Sequence, residues 1–138
     1  MTSAAENGAG ALTEAELEFL HQTFDLAREG DVESLTERVD AGVPVNLTNG
    51  SGDSLLILAA YYKQQETVEL LLSRGADTTR TNDRGQTALG AATFRQSVPI
   101  VQALLKAGAD PRLGGPSAVE IAEFFHLGEM AQVLRSEL

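Results

Sequence analysis

The chain has 138 residues, 43% of them apolar and 22% charged, which is the size and composition of a single globular domain. It contains no cysteine, so disulfides, thiolate metal sites and a cysteine nucleophile are excluded. Its net charge of -10 argues against a nucleic acid partner, because phosphate groups would be repelled on average.

Residues 1–11 are small and polar. They lack the positive charge and the apolar run of a secretory signal, and no stretch of the sequence approaches the roughly 18 apolar residues of a membrane span. We therefore expect a flexible tail over residues 1–12, a domain over residues 13–138, a cytoplasmic location and no membrane partner.

A helix is predicted directly after the tail. Thr13 and Glu16 have the spacing of a capping box, in which each side chain accepts a hydrogen bond from the other residue's backbone N–H. The apolar residues that follow recur at helical spacing and predict a helix as far as about residue 29. Its apolar stripe consists of Leu17, Leu20, Phe24 and Ala27.

The rest of the chain repeats with a period of 33 residues, which is the strongest signal in the sequence. Gly42, Gly75 and Gly108 stand at this interval, and an Ala-Asp pair follows the last two of them. The same interval separates Gly52 from Gly85, Ser54 from Thr87, Leu56 from Leu89, Ala59 from Ala92, and Val68 from Val101.

Each repeat predicts two helices. In the second repeat, Ser54 can cap a first helix by accepting a backbone hydrogen bond through its hydroxyl. Residues 67–72 form the broad apolar face of a second helix. Gly75 follows at the position where a left-handed C-terminal cap favours glycine.

This pattern resembles the ankyrin repeat family, whose unit of the same length opens its first helix with threonine-proline-leucine-histidine and ends in glycine-alanine-aspartate. The resemblance covers residues 16–138 and implies an all-α solenoid of about four stacked helix-turn-helix units with short projecting hairpin loops. The two outer units would serve as caps. Eight arginines against two lysines, together with many alanines, suit a GC-rich bacterial genome, and we expect a small stand-alone bacterial protein. The units are expected at residues 16–48, 49–81, 82–114 and 115–138.

Several positions depart from the family pattern. The family's proline and histidine are absent from every first helix, as Leu55 and Ile57 illustrate. Gly90 lies inside a predicted first helix, where glycine is about 1 kcal/mol less favourable than alanine. Gly30 keeps the glycine that separates the two helices, but its counterparts are Lys63, Gln96 and His126. We therefore expect a stability below that of a consensus stack.

The resemblance also implies a binding surface. Partners of ankyrin repeats bind a concave groove, and two residues near the end of each first helix face it. In this sequence five of the seven aromatic residues occupy that register, and aromatic side chains often dominate binding interfaces. Whether Phe124 and Phe125 face the groove or pack within the C-terminal cap is left open. The four pairs are Arg28–Glu29, Tyr61–Tyr62, Phe94–Arg95 and Phe124–Phe125.

Arginines in the projecting loops add positive charge near these rings. Arg80 and Arg84 lie in one loop and Arg112 in the next, and with Arg95 they would suit an acidic segment of a partner. Alternatively, they are solvated charges that balance aspartates of the same loops. The predicted partner-binding residues are Tyr61, Tyr62, Phe94, Arg95, Phe124, Phe125, Arg80, Arg84 and Arg112.

The sequence predicts an adaptor or regulator that binds a protein, not an enzyme. Its oligomeric state is left open, with a monomer favoured over self-association through the aromatic residues. A phosphate-binding glycine loop, a zinc-binding histidine pair and a serine nucleophile elbow are all absent, so we expect no catalytic residues, metal or cofactor. The alternative is a protein that handles a small molecule or haem, for example in support of a catalase. Tyr61, Tyr62 and His126 would then hold the flat ligand.

Overall fold

The computed structural model describes residues 12–136, and within this range the chain forms eight α-helices. Most of the predicted tail, residues 1–11, lies outside the described residues. In chain order the helices are α1 (Glu14–Glu29), α2 (Val32–Asp40), α3 (Leu55–Tyr61), α4 (Gln65–Ser73), α5 (Ala88–Phe94), α6 (Val98–Lys106), α7 (Ala118–Phe124) and α8 (Gly128–Ser136).

The helices stack in two rows. The first helices of the units contact one another in the order α1, α3, α5 and α7, and the second helices in the order α2, α4, α6 and α8. Each first helix also contacts the second helix of its own unit. The predicted all-α solenoid of four helix-turn-helix units is therefore confirmed.

The core runs along the row of first helices. All six residues at positions 55–60 in α3 are buried, because this helix lies between α1 and α5 and also packs on α4. A helix covered on so many sides has to be apolar around most of its circumference. The second helices instead bury one face, which in α4 includes Val68 and Leu71. Fully burying a side chain such as Leu71 stabilises the fold by roughly 1.5–3 kcal/mol.

Polar side chains begin the helices as predicted. The Thr13 hydroxyl accepts from the Glu16 N–H at 3.0 Å, and the Glu16 carboxylate accepts from the Thr13 N–H at 2.8 Å, which completes the capping box. Ser54, Thr87 and Ser117 cap α3, α5 and α7 by accepting the N–H of the residue three positions on. The repeated hydroxyl therefore fixes where each first helix starts.

Helix α1 corrects the prediction of a continuous apolar stripe. Phe24 and Ala27 are buried and Leu20 is half-buried, but Leu17 is 43% exposed. Helix α1 has 16 residues and its neighbour α3 has 7, so α3 covers only the C-terminal part of α1. The first turn of α1 projects beyond α3, and the second turn packs on α2, where the Arg38 guanidinium carbon lies 4.1 Å from the centre of the Phe19 ring. Leu17 and Phe19 remain exposed.

The turn between the two helices of each unit has a left-handed backbone. Gly30 adopts φ 78°, and its three non-glycine counterparts adopt nearly the same conformation, with φ of 60° at Lys63, 58° at Gln96 and 55° at His126. A side chain in this region costs roughly 1–2 kcal/mol. Stacking thus imposes one turn geometry, and three units adopt it without the glycine that this geometry favours.

The projecting loops pack on one another along the stack. The Asp83 N–H donates to the Ser51 carbonyl at 3.0 Å, and the Gly115 N–H donates to the Gly85 carbonyl at 3.0 Å. A Cβ on Gly85 would lie 2.8 Å from the Gly115 carbonyl oxygen, so only glycine permits this approach. Within residues 12–136 the loops contain no strands, only isolated bridges such as that between Thr48 and Ser54.

Asparagine closes two of these loops, a feature that the sequence patterns above did not predict. Asn49 and Asn82 stand 33 positions apart, and each side-chain oxygen accepts two backbone N–H groups of its own loop. The interval matches the repeat, so the signal is present in the sequence. These asparagines hold the loops in shape without a hairpin of paired strands.

Candidate functional site

Five aromatic side chains lie side by side across the ends of α3, α5 and α7. The ring centres of Tyr61 and Phe94 are 6.5 Å apart with nearly parallel planes, and those of Phe94 and Phe125 are 5.5 Å apart in an edge-to-face arrangement. Tyr62 lies 5.3 Å from Tyr61, and Phe124 lies 4.9 Å from Phe125, both edge to face. We call these five rings the aromatic ladder.

The turn geometry explains why the rings line up. Tyr61, Phe94 and Phe124 are the last residues of their helices, and a left-handed residue follows two positions later in each unit. The same chain reversal in three successive units brings the preceding side chains to the same edge of the stack. The register predicted from the repeat therefore becomes a row of rings in contact.

Most of the aromatic ladder faces solvent. Phe124 is 76% exposed, Phe125 48%, Tyr62 45% and Phe94 43%, so the two phenylalanines of the last unit are not packed within the C-terminal cap. Tyr61 differs, because it is half-buried and packs against the core. Contiguous exposed apolar surface of this kind marks interaction sites more often than scattered exposed residues do.

Arg95 belongs partly to the fold. Its Nη1 donates a hydrogen bond of 2.7 Å to the backbone carbonyl of Tyr61, and its guanidinium carbon lies 4.9 Å from the centre of the Tyr61 ring. The side chain is half-buried between two units. Arg95 therefore holds the ladder together and is less available to a partner than the sequence predicted.

A second inter-unit hydrogen bond has the same form. Gln64 Nε2 donates to the Arg28 carbonyl at 2.8 Å, which joins the first unit to the second. Arg28 itself pairs with Asp25 at 2.8 Å on α1. Gln64 and Arg95 do not stand at the repeat interval, so no periodic signal in the sequence could reveal that both cap the carbonyl of the preceding unit.

Arg80 is already paired, and Arg112 lies away from the rings. Arg80 Nε is 3.3 Å from Asp77 Oδ2 within its own loop. The pKa of Asp77 is lowered by hydrogen bonds from the Thr79 hydroxyl and backbone, with Arg80 contributing less. Arg112 lines a cavity of about 200 Å³ beside Leu134 on the last unit, a cavity in which no ring of the ladder takes part.

Arg84 is the loop arginine that the structure brings to the ladder. It lines a small groove of about 160 Å³ together with Tyr61, Tyr62 and Asp53. No ion pair of Arg84 is present among residues 12–136. Of the three loop arginines predicted to bind a partner, one is therefore adjacent to the rings and has an uncommitted guanidinium.

Comparison with known sequences agrees with the architecture. The family model for ankyrin repeats, in three copies, matches residues 23–114. The chain belongs to the ankyrin repeat family. It is also 51% identical over 53 residues to an ankyrin repeat protein of Pseudomonas aeruginosa. That match covers 38% of this chain and 31% of the relative, so the chain spans about a third of the protein it resembles.

Ankyrin repeats generally mediate interactions between proteins, and in this ankyrin stack the ladder crosses three of the four units. Two further observations concern other chemistry. Between residues 12 and 136 no three His, Asp or Glu side chains come together as a metal site would require, and no helix has both the length and the apolar character needed to span a bilayer. His126 is exposed beside Phe125.

Proposed function

We propose that this ankyrin repeat protein is an adaptor or regulator that holds a protein partner against its aromatic ladder. The observation that carries the proposal is the contact of Tyr61, Tyr62, Phe94, Phe124 and Phe125 in one row across three units. Rigid aromatic side chains offer a large contact area at a small loss of conformational entropy, and they are enriched at the centres of protein interfaces.

Apolar exposure elsewhere supports this choice of surface. Among residues 12–136, seven large apolar side chains are at least 42% exposed, and four of them belong to the ladder. The other three, Leu12, Leu17 and Phe19, lie at or just before the projecting start of α1. Exposed rings gain little for a folded monomer, whereas covering them with a partner removes their apolar area from water.

The charge distribution favours a partner with acidic character at the groove. Residues 42–115 carry seven basic and six acidic groups (+1), while residues 1–41 carry ten acidic and two basic groups (-8). The ladder thus begins in the least acidic part of the chain, beside Arg84. Residues 116–138, where the ladder ends at Phe124 and Phe125, carry four acidic groups and one basic group (-3), so an acidic group of the partner is favoured at the Arg84 end of the ladder. We place this interaction in the cytoplasm and assign it to the monomer.

Affinity capture from a bacterial lysate, followed by calorimetry with each identified protein, tests the proposal. The double variant Tyr62→Ala with Phe94→Ala should weaken binding by well over 1 kcal/mol, because it removes two exposed anchors. Its circular dichroism spectrum and urea midpoint should stay close to those of the unmodified chain.

Leu17→Ala is the matched control, since Leu17 has the same 43% exposure as Phe94 but lies on α1. This variant should keep full affinity. A double ladder variant that binds as tightly as the control would exclude the ladder as the binding surface.

A further inference from the structure

A cavity at the C-terminal end of the ladder offers room for one apolar side chain. It has a volume of about 410 Å³ and is lined by Pro116, Glu120, Ile121, Phe124 and Phe125. Pockets that bind compact ligands begin at about 300 Å³, and most of their lining is apolar. Glu120 supplies the only carboxylate of this lining, and one of its oxygens already accepts the Ser117 N–H at 2.9 Å.

The opposite end of the ladder is polar and offers a cation. Arg84 lines the small groove beside Tyr61 and Tyr62. The acidic side chain that lines the same groove, Asp53, accepts a hydrogen bond from Asn82 Nδ2 at 2.8 Å and makes no ion pair with Arg84. A carboxylate brought by a partner would therefore find a guanidinium that makes no ion pair within the described chain.

The rings connect these two ends over a short distance. Steps of 6.5 Å from Tyr61 to Phe94 and 5.5 Å from Phe94 to Phe125 give a path of about 12 Å between a ring that lines the groove and a ring that lines the cavity. An extended peptide advances about 3.3 Å per residue. About four residues of an extended segment would therefore cover the path from the Tyr61 ring to the Phe125 ring.

We propose, on the basis of the groove function above, that the ladder binds a linear segment of its partner that carries two anchors. An acidic residue pairs with Arg84, and a bulky apolar residue about four positions away fills the cavity of Ile121, Phe124 and Phe125. The rings between them cover the backbone of the segment. Both anchors are needed, since Arg84 favours a negatively charged residue of the segment and the cavity favours a bulky apolar one.

Selection from a phage-displayed library of random 12-residue peptides on the intact chain tests this inference. Enriched peptides should share an acidic residue three to five positions from Phe, Trp, Leu or Ile. Synthetic copies measured by fluorescence anisotropy should lose roughly tenfold in affinity when the acid is amidated, and similarly when Arg84→Gln is introduced.

Arg112→Gln is the control, because Arg112 carries the same charge outside the ladder. It should leave the peptide affinity unchanged. Absence of enriched peptides, a consensus without an acid, or equal affinity of Arg84→Gln and Arg112→Gln would overturn the two-anchor segment. If a folded partner still depended on Tyr62 and Phe94, the adaptor function would stand and only the linear segment would be wrong.

Discussion

Arg95 Nη1 of the third unit lies 2.7 Å from the backbone carbonyl of Tyr61 in the second unit, and its guanidinium covers the Tyr61 ring at 4.9 Å. One side chain thus satisfies a carbonyl near a helix end and fixes an aromatic ring. Helix ends leave such carbonyls without intrahelical partners, so an arginine from the next unit stabilises the joint between units. The same contact sets the position of the half-buried ring from which the ladder starts.

Replacement of this arginine should loosen that joint. Arg95→Ala is expected to lower the free energy of unfolding by about 1–2 kcal/mol, from the lost hydrogen bond and cation–π contact. Arg95→Lys should recover only part of this loss, because an ammonium lacks the planar fork that serves both contacts. Urea denaturation measures the free energy of unfolding of both variants, with Arg112→Ala as the control. Equal midpoints for Arg95→Ala and Arg112→Ala would show that Arg95 does not stabilise the joint between the units.

Glycine should relieve strain in the turn between α5 and α6. Gln96 adopts φ 58°, a conformation that disfavours side chains. Gln96→Gly is therefore expected to raise the free energy of unfolding by about 1 kcal/mol, after the larger entropy of unfolded glycine is subtracted. Gly75→Ala, at φ 84° with no atoms near its missing Cβ, is the converse control and should destabilise. A destabilised Gln96→Gly variant would show that the glutamine has a stabilising contact.

Alanine at position 90 should raise the free energy of unfolding only slightly, although helix propensity favours alanine over glycine by about 1 kcal/mol. A Cβ on Gly90 would lie 3.3 Å from Thr87 Oγ1, which is a tight contact, and 3.4 Å from Ile121 Cδ1, so the capping hydroxyl opposes the gain. We expect Gly90→Ala to stay within about 0.5 kcal/mol of the unmodified chain and Gly90→Val to lose more than 1 kcal/mol by overpacking. Thermal unfolding of the pair measures this. A full 1 kcal/mol of stabilisation in Gly90→Ala would mean that the Thr87 hydroxyl shifts without cost.

Acid should break an ion pair between α2 and α4. Arg74 donates to both oxygens of Asp40, at 2.9 and 3.1 Å, and these hydrogen bonds lower the pKa of Asp40 below its ordinary value of 3.8. A lowered pKa in the folded state means that the contribution is present above the unfolded pKa and is lost as pH falls through the folded one.

The urea midpoint should therefore decline more steeply below about pH 4 in the unmodified chain than in Asp40→Asn. Glu18→Gln removes an equivalent charge that makes no ion pair among residues 12–136, and it serves as the control. Parallel pH profiles for the unmodified chain and Asp40→Asn would show that the pair contributes nothing.

The ladder should be dispensable for folding. Phe124 is 76% exposed, so Phe124→Ser is expected to change the free energy of unfolding by less than about 1 kcal/mol. Leu89 is 1% exposed, and Leu89→Ala should cost about 2–5 kcal/mol by leaving a cavity between units. Chemical denaturation compares the two. A loss in Phe124→Ser as large as that in Leu89→Ala would assign the ring to the core.

Much of the fold follows from the repeat itself. Because glycines, capping hydroxyls and leucines recur at 33 residues, the unit boundaries and helix starts can be predicted from the amino-acid sequence alone. The register that places Tyr61 and Phe94 at equivalent positions follows from the same interval. Local patterns of this kind depend only on neighbours along the chain, and so they can be read from one sequence.

Contacts between units could not be predicted in this way. Leu17 fits the apolar stripe of α1, yet it is exposed because α3 is too short to cover it. Arg80, Arg84 and Arg112 look alike in sequence, but their surroundings differ. Arg80 lies beside an aspartate, Arg84 beside the rings, and Arg112 beside a cavity of the last unit. For Leu17, Arg84 and Arg112 the difference arises from what the adjoining unit places opposite the residue, whereas Arg80 pairs with Asp77 of its own loop.

The sequence by itself determined the repeat, the helix caps and the aromatic register, since periodic side chains and hydroxyl caps act within a single unit. Only the tertiary structure decided that Arg95 holds Tyr61, that Gly85 lies against Gly115, and that Phe124 and Phe125 remain exposed. The physical reason is that burial and pairing depend on distances between units. The repeated residues allow the units to stack, and the side chains that vary from unit to unit decide which contacts each joint makes.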